Sequence, residues 1–156
     1  MKLGVICDGI SRDLSHALKV MDEFGLDYAE LQFVWDKEVG DHDASEIAQI
    51  KELLDTHNKP VSCLSRHIFA GLTTASKAGD KDHSRHMDYL KRVIEMAHQL
   101  NCPLVRIMTS KKEQILWGTN GAEHWNVAKG AWDTLPPLIA PAVDLARTEG
   151  VTLVVE

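Results

Sequence analysis

Apolar residues follow two alternating rhythms along the chain. Short runs dense in Val, Ile, Leu and Cys occupy residues 2–7, 28–34, 60–65, 103–108 and 151–155. Most are apolar on both faces, the pattern of a strand buried between helices. Between them, apolar residues recur every three or four positions, the period of a helix with one buried side. Leu14, Leu18 and Met21 form the first such stripe, with Gly25 as its stop. Ile47, Ile50 and Leu54 form the second. It follows Asp43-Ala-Ser-Glu46, the pattern of a capping box. Met87, Leu90, Ile94, Ala97 and Leu100 form the third, and Leu135, Leu138, Ile139, Ala142 and Leu145 the fourth. Pro136, Pro137 and Pro141 fall inside the fourth pattern. An internal proline removes a helical hydrogen bond and crowds the preceding turn, which predicts a late start or a kink there.

The predicted order is β-α-β-α-β-α-β-α-β. Strict alternation predicts an α/β fold of parallel strands joined by right-handed crossovers. No repeat, low-complexity tract or Gly/Ser linker interrupts it, so residues 1–156 read as a single α/β domain. Two connections exceed what the fold needs: 69–82 after the third strand, and 109 to about 126 after the fourth. Both follow strand C-termini, the end where parallel α/β proteins bind ligands. The second holds Trp117, His124 and Trp125, which predicts an ordered lid or interface.

The fifth strand runs into Glu156, where the sequence given stops. Two architectures accommodate five βα-alternating strands. One is an open five-stranded flavodoxin-like sheet. The other is the first half of a TIM (β/α)8 barrel, a fold of typically about 250 residues. Open sheet edges present unpaired backbone groups. A second copy covering them would make the protein a homo-oligomer.

Composition narrows the partners. Apolar residues are 44% and charged residues 26%, and the net charge is −6. That balance disfavours the basic face of a nucleic-acid binder. No apolar run approaches the roughly 18 residues of a membrane span. The chain reaches Asp8 after one short apolar run, without the core and cleavage site of a secretion signal. Cys7, Cys63 and Cys102 show no CxxC spacing and read as reduced, buried hydrophobes. A cytoplasmic location follows as the expectation. No GxGxxG, Walker, GxSxG or HExxH motif is present.

Three segments carry a resemblance. Lys2-Leu-Gly-Val, Asp27-Tyr-Ala-Glu-Leu31 and Ala146-Arg-Thr-Glu-Gly-Val-Thr-Leu-Val-Val-Glu156 resemble the xylose-isomerase-like TIM barrels. That family includes sugar and sugar-phosphate isomerases and epimerases, inosose dehydratases and endonuclease IV. The whole chain then corresponds to the first four βα units and the fifth strand, an incomplete barrel. The resemblance implies a metal-dependent isomerase or epimerase of a sugar or polyol, working by proton transfer through an enediolate. It makes Glu156 a divalent-metal ligand (Mn, Co, Mg or Zn) and a candidate proton-transfer base. The other ligands, typically Asp, His and Glu, come from strands six to eight. One carboxylate does not make a metal site, so no metal is expected on this chain alone. Relatives acting as dehydratases or carbon–glycoside-cleaving lyases share the same first half. A non-catalytic half-barrel that pairs with another chain is the competing reading. An endonuclease IV-like activity would need further histidine ligands and a basic surface.

Within the barrel reading, strand C-termini bear the candidates. His67 ends strand three and suits hydroxyl binding or proton transfer, since an imidazole titrates near neutrality. Asp8 ends strand one, as substrate contact or helix cap. Arg106 lies in an otherwise apolar strand, where a charge is paired or faces a cavity. Its options are Glu30 in the sheet or an anionic or hydroxylated substrate. Trp35 and Trp117 are candidates to pack against a sugar ring. His16, His57, His83, His86 and His98 fall in helical patterns and read as surface residues.

Overall fold

The computed structural model describes residues 1–73, 75–108 and 131–155, with backbone alone at 131 and 132. Five parallel strands form one sheet: β1 (Gly4–Ile6), β2 (Tyr28–Leu31), β5 (Val61–Ser65), β6 (Leu104–Ile107) and β7 (Thr152–Val155). Their spatial order is β1-β2-β5-β6-β7, the order of the chain. A flavodoxin-like sheet places its first strand inside, in the order 2-1-3-4-5. The sequential order therefore removes that alternative and matches successive strands of a barrel.

Helices α1 (Leu14–Glu23), α2 (Ala44–Thr56), α3 (Lys81–Gln99) and α4 (Ala131–Glu149) connect the strands. Their starts follow local chemistry. The Asp13 carboxylate caps α1 by accepting from Ser15 N at 3.0 Å and His16 N at 3.4 Å. The predicted capping box opens α2: Asp43 accepts from Glu46 N, while the Glu46 carboxylate accepts from Asp43 N. In α4 the helix runs continuously through its prolines, contrary to the expected late start. Pro136, Pro137 and Pro141 stand exposed, while Leu138, Ala142 and Ala146 form its buried stripe at four-residue spacing.

The core lies between the sheet and its helices. Along β2, Ala29 and Leu31 are buried in it; along β6, Val105 and Ile107. The alternate residues, Glu30 and Arg106, project from the opposite face, the inner face of a barrel. The predicted second strand, 28–34, is instead two elements. After β2 the chain forms a small antiparallel hairpin of β3 (Phe33–Val34) and β4 (Lys37–Glu38). Trp35 turns that hairpin with a φ of 55°. Gly40, at φ 87°, then brings the chain hard against α3.

Candidate active site

The hairpin places charged and aromatic groups over the C-terminal ends of β2 and β5. Phe33 and Glu38 are cross-strand partners, and both reach His67 just beyond β5. Cross-strand partners share a face of a hairpin, which explains why both meet the same ring. The Phe33 and His67 ring centroids are 6.2 Å apart. Glu38 Oε1 accepts from His67 N at 3.0 Å and lies 2.7 Å from its Nδ1. Gln32 Nε2 sits 3.3 Å from Nδ1 and 3.2 Å from Nε2 of the same ring. The His67 side chain remains 51% exposed, so a ligand can reach it.

Behind this layer, Arg66 anchors the carboxylates. Its side chain is only 4% exposed. Arg66 Nε lies 3.4 Å from Glu38 Oε2, and its Nη2 donates to Asp41 at 2.8 Å. Its Nη1 donates to the Val39 carbonyl, and its guanidinium lies 4.4 Å from the centre of the Tyr89 ring. Arg92 reaches the same Asp41 at 2.8 Å. Burial alone would push the Asp41 carboxyl up. The two guanidiniums outweigh it and hold the group below the usual carboxylate range.

On the inner face, Arg106 Nε lies 3.6 Å from Glu30 Oε1, which also accepts from the Ser65 hydroxyl. The ion pair anticipated for Arg106 is therefore formed, across β5 rather than between adjacent strands. Asp8 sits in a 3-10 turn, Cys7–Gly9, and accepts from Phe33 N at 3.3 Å. It ties the end of β1 to the hairpin and leaves the capping of α1 to Asp13. Trp35 packs edge-on against His42, with ring centroids 6.0 Å apart, and its main-chain N–H donates to the Arg12 carbonyl. The aromatic beside His67 is Phe33. Glu156 and Trp117 lie outside the described residues.

One sequence reading changes. His83 and His86 are buried rather than on the surface. Helix α3 begins before Met87, and both histidines extend its apolar stripe through Leu90, Val93 and Ala97. His83 bonds the Leu138 carbonyl at 2.8 Å, and its ring stacks on Phe69. Conversely, the three cysteines are free and buried, as anticipated. Burial pushes the Cys7 thiol up to about 12, with the charges of Asp8 and Glu30 adding, which suits packing rather than nucleophilic attack.

Sequential parallel strands with intervening helices define the first half of a TIM barrel. The profile described as "Xylose isomerase-like TIM barrel" matches residues 18–156, and the chain belongs to that family. No curated protein sequence matches it. Solved structures share its fold. A xylose isomerase-like TIM barrel protein from Mycobacterium smegmatis, in complex with magnesium, superposes with a TM-score of 0.59 at 17% identity, covering 90% of this chain and 45% of that one. The 3-keto-D-glucoside 4-epimerase YcjR from E. coli gives 0.60 at 12% identity, covering 99% and 54%. Mannonate dehydratase from Streptococcus suis gives 0.59 at 13%, covering 99% and 51%. The chain thus spans about half the length of these structures.

Among the described residues no three His, Cys, Asp or Glu side chains gather to hold a divalent metal. Glu38 and Asp41 are turned onto Arg66, and Glu30 onto Ser65 and Arg106. The described residues do not fit a metal site. Among them, too, no helix is long and apolar enough to cross a membrane.

Proposed function

We propose that this chain supplies the N-terminal half of an isomerase or epimerase acting on a sugar or related polyol. The observation that carries the reading is His67. It is exposed at the C-terminal mouth of a family barrel and held by a carboxylate on one ring nitrogen. Its remaining nitrogen and the neighbouring Gln32 amide offer an acceptor beside a donor, a match for a substrate hydroxyl. Phe33 gives an apolar surface next to them for the C–H face of a sugar. Arg106 and Glu30 supply charge on the inner face below.

In this reading the residues of the chain bind and orient. His67 exchanges a proton with a substrate oxygen, while Gln32 donates to the same or the adjacent oxygen. Metal ligation, with Glu156 as one contributor, would rest on groups beyond the described residues. The proposed setting is a cytoplasmic homo-oligomer using small-molecule substrates, with no nucleic acid or membrane partner.

The test is a panel of aldoses, ketoses and their acids in D2O, with the full protein and added Mn2+, Co2+ or Mg2+, followed by proton NMR. Epimerisation or isomerisation exchanges a substrate C–H for deuterium and keeps the formula otherwise intact. Such exchange, lost in His67→Gln, is the expected result. Products short of one water would replace the isomerase with a dehydratase. No turnover of any member, together with no binding of the panel, overturns the sugar reading.

A further inference from the structure

Glu38 touches His67 twice, at the ring Nδ1 and at the main-chain N–H. We propose that Glu38 is a positioning residue that fixes His67 as the neutral tautomer with its proton on Nδ1, leaving Nε2 as the acceptor for a substrate hydroxyl. This deepens the sugar-processing reading and rests on it for the identity of the substrate, though not for the tautomer.

An ionised carboxylate only accepts hydrogen bonds. Arg66 Nε faces Glu38 Oε2 at 3.4 Å and pairs with it as an ion pair. Oε1 lies 2.7 Å from His67 Nδ1, so Nδ1 must donate. Oε1 also takes the His67 main-chain N–H at 3.0 Å, which fixes ring and backbone to the same atom. The ring therefore has little freedom to swing and exchange its nitrogens. In the neutral ring, a proton on Nδ1 leaves a lone pair on Nε2. Gln32 Nε2 stands nearly equidistant from the two ring nitrogens. An amide N–H donates only to an unprotonated ring nitrogen, so the 3.2 Å contact fits Nε2 as the acceptor.

Glu38 itself is placed by several independent contacts. The β3–β4 pairing sets its register opposite Phe33. The buried Arg66 holds it from below while also bonding Asp41 and the Val39 carbonyl. A carboxylate serving only as a surface partner for an exposed histidine would need none of this support. The arrangement is that of a ring whose orientation matters.

The experiment is nitrogen-15 NMR of the full protein labelled at histidine, with the His67 resonances assigned by their loss in His67→Gln. At a pH where His67 is neutral, the wild type is expected to show a protonated Nδ1 and an unprotonated Nε2. In Glu38→Ala the proton is expected to distribute over both nitrogens, and Glu38→Asp to restore the wild-type pattern in part. A wild-type His67 carrying its proton on Nε2 overturns the proposal and needs no variant to fold. So does a tautomer unchanged in a folded Glu38→Ala. Where a sugar is turned over, Glu38→Ala is expected to lower kcat by on the order of tenfold or more, with a smaller change in KM. The expected tautomer in a protein that neither binds nor converts any sugar leaves the positioning intact and removes the sugar reading alone.

Discussion

The main-chain N–H of Phe69 donates to Nδ1 of His86 at 3.0 Å, two residues beyond His67, where Phe69 adopts a φ of 67°. A bulky residue rarely takes the left-handed region, and it persists there only when its surroundings over-determine it. Here the determinants are the His86 acceptor, the stacked His83 ring and a fully buried phenyl group. The histidines of α3 thus hold the segment that leads out of the candidate site.

Protonation of His86 would turn that acceptor into a second donor. Burial lowers its proton affinity, and the charge of Arg85 adds to this, with His83 and Arg66 contributing and Asp82 opposing. The unfolded chain therefore binds the proton more readily, so stability rises with pH through this group. Its contribution is complete above about pH 6.5, the unperturbed value, and is lost as the pH falls from there toward the depressed folded value. Urea midpoints measured from pH 7.5 downward should fall across that window, ahead of any carboxylate titration. His86→Gln keeps an acceptor and should flatten the curve. His86→Ala leaves a buried N–H unpaired and should cost about 1–3 kcal/mol.

Arg66 is the second pivot. Removing one partner of a buried ionic group leaves the others uncompensated, at about 3–5 kcal/mol. Arg66→Met should show a loss of that order by chemical denaturation. Because Asp41 is held below the usual range, its contribution is present above the unfolded value near 3.9 and lost as pH falls through the folded one. The acid limb of the stability curve should therefore move to higher pH in Arg66→Met. Arg92 still pairs Asp41, so the move should be partial.

The layout of the barrel was legible because its signals are periodic. Buried strands, helical stripes and the Asp43 capping box each repeat a local rule, and sequential parallel order follows from βα alternation once the family resemblance is added. What escaped was non-periodic. The hairpin hid inside a continuous apolar-looking run, because Phe33, Val34 and Trp35 continue the strand pattern while the backbone turns at Trp35. Glu38 carries no signal of its own in the sequence, and only the hairpin brings it to Arg66 and His67. His83 and His86 lay outside the apolar stripe because histidine was counted as polar. Including them at three- and four-residue spacing before Leu90 extends α3 toward its true start.

Gly40 tests the same hairpin from its far end. A Cβ there would lie 2.9 Å from Val93 Cγ2 and 3.0 Å from Val93 N, at a φ of 87°. The backbone of α3 cannot yield as a flexible side chain would. Gly25 also has positive φ, 63°, with nothing within 4 Å of the corresponding position. Gly25→Ala should cost the conformational term alone, about 1–2 kcal/mol. Gly40→Ala should cost clearly more in the same denaturation series, and should disturb His67 NMR signals. Equal losses at the two sites would show that the hairpin can lift from α3 without strain.

The last prediction separates two aromatic residues. Trp35 has the size expected of a sugar platform, yet its ring packs edge-on against His42. Phe33 stands beside His67, with the Arg12 guanidinium 4.8 Å from its ring centre on the hairpin. A sugar held by His67 and Gln32 would meet Phe33 before Trp35. Phe33→Ala should therefore raise KM, or weaken sugar binding measured by calorimetry, by on the order of tenfold, the worth of roughly one aromatic contact. Trp35→Phe should leave binding close to wild type and register instead as a loss of stability. The reverse pattern, with binding lost at Trp35 and kept at Phe33, would move the substrate to the other side of the hairpin and take His67 out of its reach.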